Sequence, residues 1–227
     1  MKDFENKYIL KNSQAPYVLE LLKARCPLDL EYPEAQIASM YFDTYDLKLL
    51  KEKINSDLIK TKYRVRWYKD YQNGKTSGPC FLEVKSKLGE VRSKIRLKSL
   101  MSASDFENLA FTDQKFDEIN DEFQRMKPMF KPLRPHFIVS YKRVRFKYPG
   151  SEIRFCIDYD IHVPKINDQW GYVFNESLKV PEAVFEIKGP EEDLPEMMKI
   201  IESVGAYRDS FSKYLACFQL LKNIKEF

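Results

Sequence analysis

The chain has 227 residues, 44% apolar and 32% charged, which excludes a disordered tail and suits one folded domain over residues 1–227. No stretch approaches the ~20 apolar residues needed to cross a bilayer, and the start, Met-Lys-Asp-Phe-Glu-Asn-Lys, has no apolar signal core, so a cytoplasmic protein is expected. A net charge of +4 is too small for a general nucleic-acid coat, and no Gly-x-Gly-x-x-Gly run marks a Rossmann site.

Residues 3–10 read as a first strand. Asn12 or Ser13 can cap a helix that runs to about Arg25 and is ended by Pro27. A strand over 37–43 and a short helix over 45–54 follow. The next strands fall at 59–68, 80–87 and 91–98. Between the first two of these, Gly74-Lys75-Thr76 resembles the end of a P-loop, but Lys69 stands where the other glycine would be needed; Asn73-Gly74 reads as a hairpin loop. Residues 102–127, with Leu109, Phe116, Ile119 and Phe123, are predicted helical. Two long strands, 137–148 and 152–163, join through Pro149-Gly150. A last strand, 183–188, leads into a helix opening at Pro190 with Glu191, Glu192 and Asp193 in its first turn. An amphipathic helix with Phe211, Leu215, Phe218 and Leu221 on one face closes the chain.

The strands share one pattern. Tyr63, Val65 and Trp67 alternate with Lys62, Arg64 and Arg66; Leu82 and Val84 with Glu83, Lys85 and Lys87; Val91, Ile95 and Leu97 with Arg92, Lys94, Arg96 and Lys98. Val144 and Phe146 oppose Arg143 and Arg145. Ile153, Phe155, Ile157 and Ile161 oppose Arg154 and Asp158, while Phe185 and Ile187 oppose Glu186 and Lys188. Each strand therefore has one apolar and one charged face. In a half-buried antiparallel sheet the charged faces would simply see solvent. Two features point elsewhere. Arginine dominates them where a solvated face would mix in Thr, Ser and Gln, and the inserted helices need the apolar faces to pack on. Covering those faces turns the charged faces toward one another. The expected fold is α+β, an eight-stranded antiparallel β-barrel with helices packed on the outside.

A barrel lined with cations cannot be a dry core, because burying unpaired charge is very costly. It calls for water, counter-carboxylates and a polyanion, and arginine forks with compact lysines suit phosphate oxygens. The interleaved carboxylates fit a divalent metal, since Mg²⁺ commonly takes one or two carboxylates plus substrate phosphates. Other chemistries find little support. Cys26, Cys80, Cys156 and Cys217 are far apart and read as reduced, buried thiols. His136 and His162 stand alone, which leaves a zinc hydrolase or a Ser-His-Asp enzyme without its residues.

Taken in order, Phe4-Glu5-Asn6-Lys7-Tyr8, Met40-Tyr41-Phe42-Asp43, Lys62-Tyr63-Arg64-Val65-Arg66, Phe81-Leu82-Glu83-Val84-Lys85, Ser93-Lys94-Ile95-Arg96 and Tyr141-Lys142-Arg143 form one set. Arg154 through Asp158-Tyr159-Asp160, Phe185-Glu186-Ile187-Lys188 and Phe211-Ser212-Lys213-Tyr214 complete it. The set resembles the VTC domain (vacuolar transporter chaperone catalytic domain), a polyphosphate polymerase family within the triphosphate tunnel metalloenzymes. The wider superfamily carries Glu-x-Glu-x-Lys on its first strand, where this chain reads Asp3-x-Glu5-x-Lys7.

The resemblance implies a tunnel in which Lys7, Arg64, Arg66, Lys85, Arg143 and Arg154 act on the reacting phosphates. Lys94, Arg96, Lys188, Ser212 and Lys213 are implied as further phosphate contacts, and Glu186, with Glu5 and Glu83, as ligands of a divalent metal, Mn²⁺ or Mg²⁺. For each of these acids the competing reading is an internal salt bridge that holds an arginine. The implied reaction passes the γ-phosphate of ATP to a growing inorganic polyphosphate chain. The implied partners are ATP and polyphosphate, with no nucleic acid and with a membrane-protein partner left open. A tripolyphosphatase or nucleoside triphosphatase on the same fold, or a non-catalytic polyphosphate-binding module, are the alternatives.

Overall fold

The computed structural model describes residues 4–171, 178–190 and 193–225. Asp3 of the first-strand pattern and the expected helix-opening Glu191 and Glu192 lie outside these residues. Strand β1 (Phe4–Lys11) leads through a 3-10 turn into helix α1 (Ala15–Lys23). The helix starts later than Asn12 or Ser13 would set it. The Asn12 side chain is spent across the fold on Asp160, accepting from its backbone N–H at 2.8 Å and donating to its carboxylate at 3.1 Å. Next come β2 (Glu34–Asp43), α2 (Lys48–Ile54), β3 (Ile59–Lys69), β4 (Thr76–Leu88) and β5 (Val91–Ser102).

The segment expected as one helix over 102–127 is two, α3 (Ala103–Asn108) and α4 (Lys115–Met126). Ser102 caps the first by accepting from the Asp105 N–H at 3.1 Å. Leu109 then turns extended (ψ 135°) to bury itself, and Asp113 receives the Lys115 N–H at 2.9 Å as the chain re-enters a helix. Strands β6 (Arg134–Lys147), β7 (Arg154–Ile166), β8 (Leu178–Lys179) and β9 (Glu182–Gly189) follow. Among the described residues after β9, a 3-10 turn at Glu196–Met198 and the short α5 (Ile200–Ser203) stand where a longer helix was expected, and Pro195 disfavours helical geometry just before it. Strand β10 (Tyr207–Arg208) and helix α6 (Lys213–Lys225) end the described chain.

All strands join one antiparallel sheet in the order β10-β1-β9-β7-β6-β2-β3-β4-β5, with β8 on β7. The sheet has ten strands where eight were expected, and it does not close into a barrel. Strands β8 and β10 have two residues each, too few to carry an alternation a sequence can display. Part of the β1 edge is taken by β10, at Tyr8↔Arg208 and Ile9↔Tyr207, and the Lys7 carbonyl accepts from the Asp209 N–H at 3.1 Å. What spans the seam is an ion pair, Arg92 Nη1 to Glu5 Oε2 at 3.4 Å. The result is a curled trough with a seam rather than a ring.

The trough is packed on both sides. Val144, Phe146, Phe155, Phe185 and Ile187 on its convex face pack with Val18 and Leu22 of α1 and Ile201 of α5. A second convex core joins Met40, Phe42, Tyr63, Val65 and Trp67 to Phe106 of α3 and Phe116 and Phe123 of α4. The third core corrects the expectation that every helix lies outside. Ile37, Tyr41, Phe137, Val139 and Tyr141 share the face of the arginines, and α6 lays Tyr214, Cys217 and Leu221 on them. Helix α6 therefore plugs part of the concave side. A further correction concerns β5, whose apolar row no helix covers: Val91, Ile95 and Leu97 are 71%, 40% and 47% exposed.

The four cysteines are free and buried, as expected. Phe123 is fully buried, with ring contacts to Phe42 at 5.1 Å and Tyr63 at 5.4 Å. Phe123→Ala is expected to lower the unfolding free energy by about 3–5 kcal/mol in a denaturant titration. A loss below about 1 kcal/mol would show that α4 is not part of the cooperative core.

Candidate functional site

Inward-facing residues on neighbouring strands converge because alternate side chains of β3, β4 and β6 share one face. Glu83 of β4, wholly buried, is the first centre. Arg64 of β3 grips its Oε2 with Nε at 2.8 Å and Nη2 at 2.5 Å. Lys94 and Arg96 of β5 approach Oε1 at 2.9 and 3.5 Å, and Arg66 Nε lies 3.9 Å from Oε2. Burial pushes the Glu83 carboxyl up, but Arg64 and Arg66 outweigh burial and hold it well below the usual carboxylate range.

Asp158 of β7 is the second centre. It takes both arms of Arg143 at 2.5 and 2.6 Å and Lys213 at 2.6 Å. Burial again opposes its ionisation, and Arg143 and Lys213 overcome that.

Two lysines lack such a partner. Burial, then Lys7 and Arg64, push Lys62 down to about 7. Burial, then Arg64 and Arg66, push Lys85 down to about 6, although water in the trough still reaches its side chain. In both, burial acts first and the neighbouring cations add to it. Lys62 and Lys85 line a cavity of about 690 Å³ together with Lys7, Lys94, Lys188 and Ser212.

Helix α6 reaches this place through a buried polar anchor. Tyr214 stacks on Tyr41 at 4.7 Å, donates its hydroxyl to Asp43 at 3.0 Å, and lies 2.8 Å from His136 Nδ1. Asp43 in turn accepts the backbone N–H groups of Leu49 and Leu50 in the first turn of α2. Burial raises Asp43 to about 6 and lowers His136 to about 3, so the histidine is a neutral structural group. With Tyr214 so held, Ser212 meets Lys62 Nζ at 3.1 Å and Lys213 meets Asp158.

The structure thus brings together Lys7, Arg64, Arg66, Lys85, Lys94, Arg96, Arg143, Lys188, Ser212 and Lys213 on one concave wall. Arg154, at the exposed start of β7, pairs in register with Lys188 and so lies on the same face at its rim. Sequence reading left Lys62 and Asp158 out of the site, although Lys62 shares the face of Arg64 and Arg66. It also missed the hydroxyls of Ser39 and Tyr141, which receive Arg66 Nε and Nη2 at 3.3 Å each. Tyr141 falls on the Arg143 side of its strand, so alternation could have placed it.

The carboxylates divide in their fitness for a metal. Glu83 is enclosed by cations on both oxygens and serves as their counter-ion. Glu5 and Glu186 meet at Lys188 Nζ, at 3.6 and 3.0 Å, and Glu5 also pairs with Lys7 at 2.9 Å and Arg92 at 3.4 Å. Unlike Glu83, Glu5 keeps its side chain 28% exposed, open to an incoming cation. Burial and Glu186 oppose ionisation of Glu5, but Lys7 and Lys188 outweigh them. Burial opposes that of Glu186, and Arg143, Lys188 and Lys7 outweigh it, so both carboxyls are held below the usual range and stay ionised. Two carboxylates beside phosphate oxygens is a donor set that Mg²⁺ or Mn²⁺ accepts. Among the described residues no group of three or more His, Cys, Asp or Glu side chains could hold a metal alone.

Three solved structures share this architecture. The PH1819 protein of Pyrococcus horikoshii is 12% identical with a TM-score of 0.51, covering 100% of both chains. A putative adenylate cyclase from Bacillus halodurans is 14% identical with a TM-score of 0.52, covering 93% of this chain and 96% of that one. A putative adenylyl cyclase from Hippeastrum, described as having a dominant triphosphatase activity, is 14% identical with a TM-score of 0.52 over 96% of each chain. At these identities the likeness is one of fold. No curated protein matches the sequence. The VTC domain matches residues 2–222, nearly the whole chain, and the ordered basic set lies within that span on one wall of the trough; the chain belongs to the VTC domain family.

Proposed function

We propose that this chain is a polyphosphate polymerase, which transfers the γ-phosphate of ATP to the end of a growing inorganic polyphosphate held in the trough. The observation that carries the reading is the surplus of cations over carboxylates on the concave face: Arg64, Arg66, Lys94 and Arg96 share Glu83, and Arg143 and Lys213 share Asp158. Surplus buried cations call for an anion, and a row of them across several strands suits an extended polyanion.

The residues have distinct tasks in this reading. Arg64 and Arg143 are fixed by Glu83 and Asp158, so their remaining N–H groups are aimed before any ligand arrives. Arg66, bonded to two hydroxyls, gives up little to turn toward a phosphate oxygen. Transfer between phosphates depends on alignment and charge stabilisation more than on a base, since a terminal phosphate is already largely ionised near neutral pH. Glu5 and Glu186 would hold the divalent cation, which would supply positive charge to offset that of the phosphates. The seam means the walls do not shut water out as a closed barrel would. Growth over hydrolysis rests instead on a cation row long enough to hold donor and acceptor together.

With ATP and Mn²⁺, the protein is expected to make an acid-stable phosphate chain and release one ADP per phosphate added. Orthophosphate without chain growth would assign a triphosphatase instead, and tight polyphosphate binding with neither product would assign a binding module. Glu186→Gln should abolish synthesis while nucleotide still binds to the arginines.

Arg66→Ala should slow turnover by roughly a hundredfold with a small change in melting temperature, because it removes a transition-state contact and no buried carboxylate loses its main partner. A variant that melts early yet keeps full turnover in its folded fraction would make Arg66 structural.

The pH dependence follows from the lysines. Lys62 faces Lys7, Arg64, Lys53, Lys213 and the Ser212 hydroxyl, and Lys85 faces Arg64, Arg66, Glu83 and Lys188. Their values of about 7 and 6 leave them largely neutral at pH 8, and a bound polyanion restores their charge. Tripolyphosphate affinity should therefore fall from pH 7 to 9, with proton uptake visible as a buffer-dependent binding enthalpy. Over that range the terminal phosphate, with a second pKa of about 6, is already ionised. The lysines' contribution to ligand-free stability runs the other way and rises with pH, since the unfolded lysines bind more protons than the folded ones.

A further inference from the structure

The two ends of the trough differ in chemistry. Lys60 and Lys62 on β3 stand opposite Lys87 and Lys85 on β4, and together they make one end a lysine pocket. Toward the other end of the same two strands, about 13–26 Å away at ~3.3 Å per residue, stand Tyr68 and Phe81. Their rings meet edge to face at 6.3 Å. Arg96 of β5 lies between the ring pair and Glu83, with its guanidinium carbon 3.8 Å from the centre of the Phe81 ring. Its Nη2 donates to the Tyr68 hydroxyl at 3.3 Å and its Nε faces Glu83 at 3.5 Å. Arg145 stands at the same end, where its Nη1 holds the Tyr32 carbonyl at 3.0 Å and leaves the Tyr32 ring exposed.

An arginine binds phosphate with its N–H edge and a flat ring with its face. Here two nitrogens of Arg96 are engaged at the edge and Phe81 covers one face, yet the side chain is still 37% exposed. The geometry points to Arg96 as a stacking platform for the base of a nucleoside triphosphate, with the phosphates running inward toward Arg64, Arg66 and Arg143. The assignment rests on the polymerase reading, in which a nucleotide is the phosphate donor, and it moves Arg96 from the phosphate contacts to the base. Phe81 and Tyr68 hold the plane rigid, so little rotamer freedom remains to be lost on binding. A face reads no donor–acceptor pattern, so the platform suits nucleobases as a class.

The test compares ATP with tripolyphosphate by calorimetry in the absence of divalent metal, at fixed salt. Arg96→Lys keeps the charge and removes the plane. It should weaken ATP about tenfold while tripolyphosphate changes by about twofold at most. Phe81→Leu, which withdraws the ring beneath the guanidinium, should give the same split. Equal weakening of both ligands would return Arg96 to the phosphates, and no change in either would show that its face is unused; either result overturns the platform and leaves triphosphate binding standing. A wild-type protein that binds neither ligand overturns the polymerase reading as well.

Discussion

The structure depends on one buried carboxylate and the cations it gathers. Glu83 holds Arg64, Lys94 and Arg96, with Arg66 at the margin, and so ties β3, β4 and β5 on their charged side. Such a centre contributes little net stability, because desolvating the partners costs about as much as their attraction returns. Its effect is geometric. Each cation is held at a set height on the wall, and Asp158 does the same for Arg143 and Lys213 on the far side. Each cluster carries more positive than negative charge, and that surplus is what makes the trough receptive to a polyanion.

Holding surplus charge inside a fold requires support from outside it. The convex face supplies this through two apolar cores, so strands with mutually repelling inner faces are clamped from behind by α1, α3 and α4. Helix α6 adds a third contact on the concave side, where the Tyr214–Asp43 bond joins it to the start of α2. That single helix places Ser212 and Lys213 among strands from distant parts of the chain.

Most of the wall was legible in the sequence because strand alternation is local. Lys62, Arg64 and Arg66 are two residues apart, and their common face follows from the pleat alone. The organisation of the ends was not legible. Nothing in Tyr207-Arg208 marks a strand, yet this pair takes part of the β1 edge, and the sheet stays open between β1 and β5. The side on which α6 packs was equally hidden. An apolar helix face fits any apolar surface, and the inner patch of Ile37, Phe137 and Val139 lies on the charged side of its strands, where alternation predicts polar residues. The carboxylates looked alike in sequence, and only their places in space separate Glu83, wholly buried among cations, from Glu5 and Glu186, which meet at Lys188 with Glu5 still open to solvent.

The position of β1 has a consequence for how the molecule is made. The hairpins β3–β4, β4–β5 and β6–β7 join neighbours through short connections and can form as soon as their residues exist. Strand β1 pairs with β9 and β10, at the other end of the chain. During synthesis it precedes the rest of the sheet, and although α1 can cover Tyr8 and Leu10, its backbone edges have no partner until residues beyond 180 have followed. An open apolar edge held that long invites pairing with another nascent chain. The strand that carries Glu5 and Lys7 is the first of the sheet to be made and among the last to find its place.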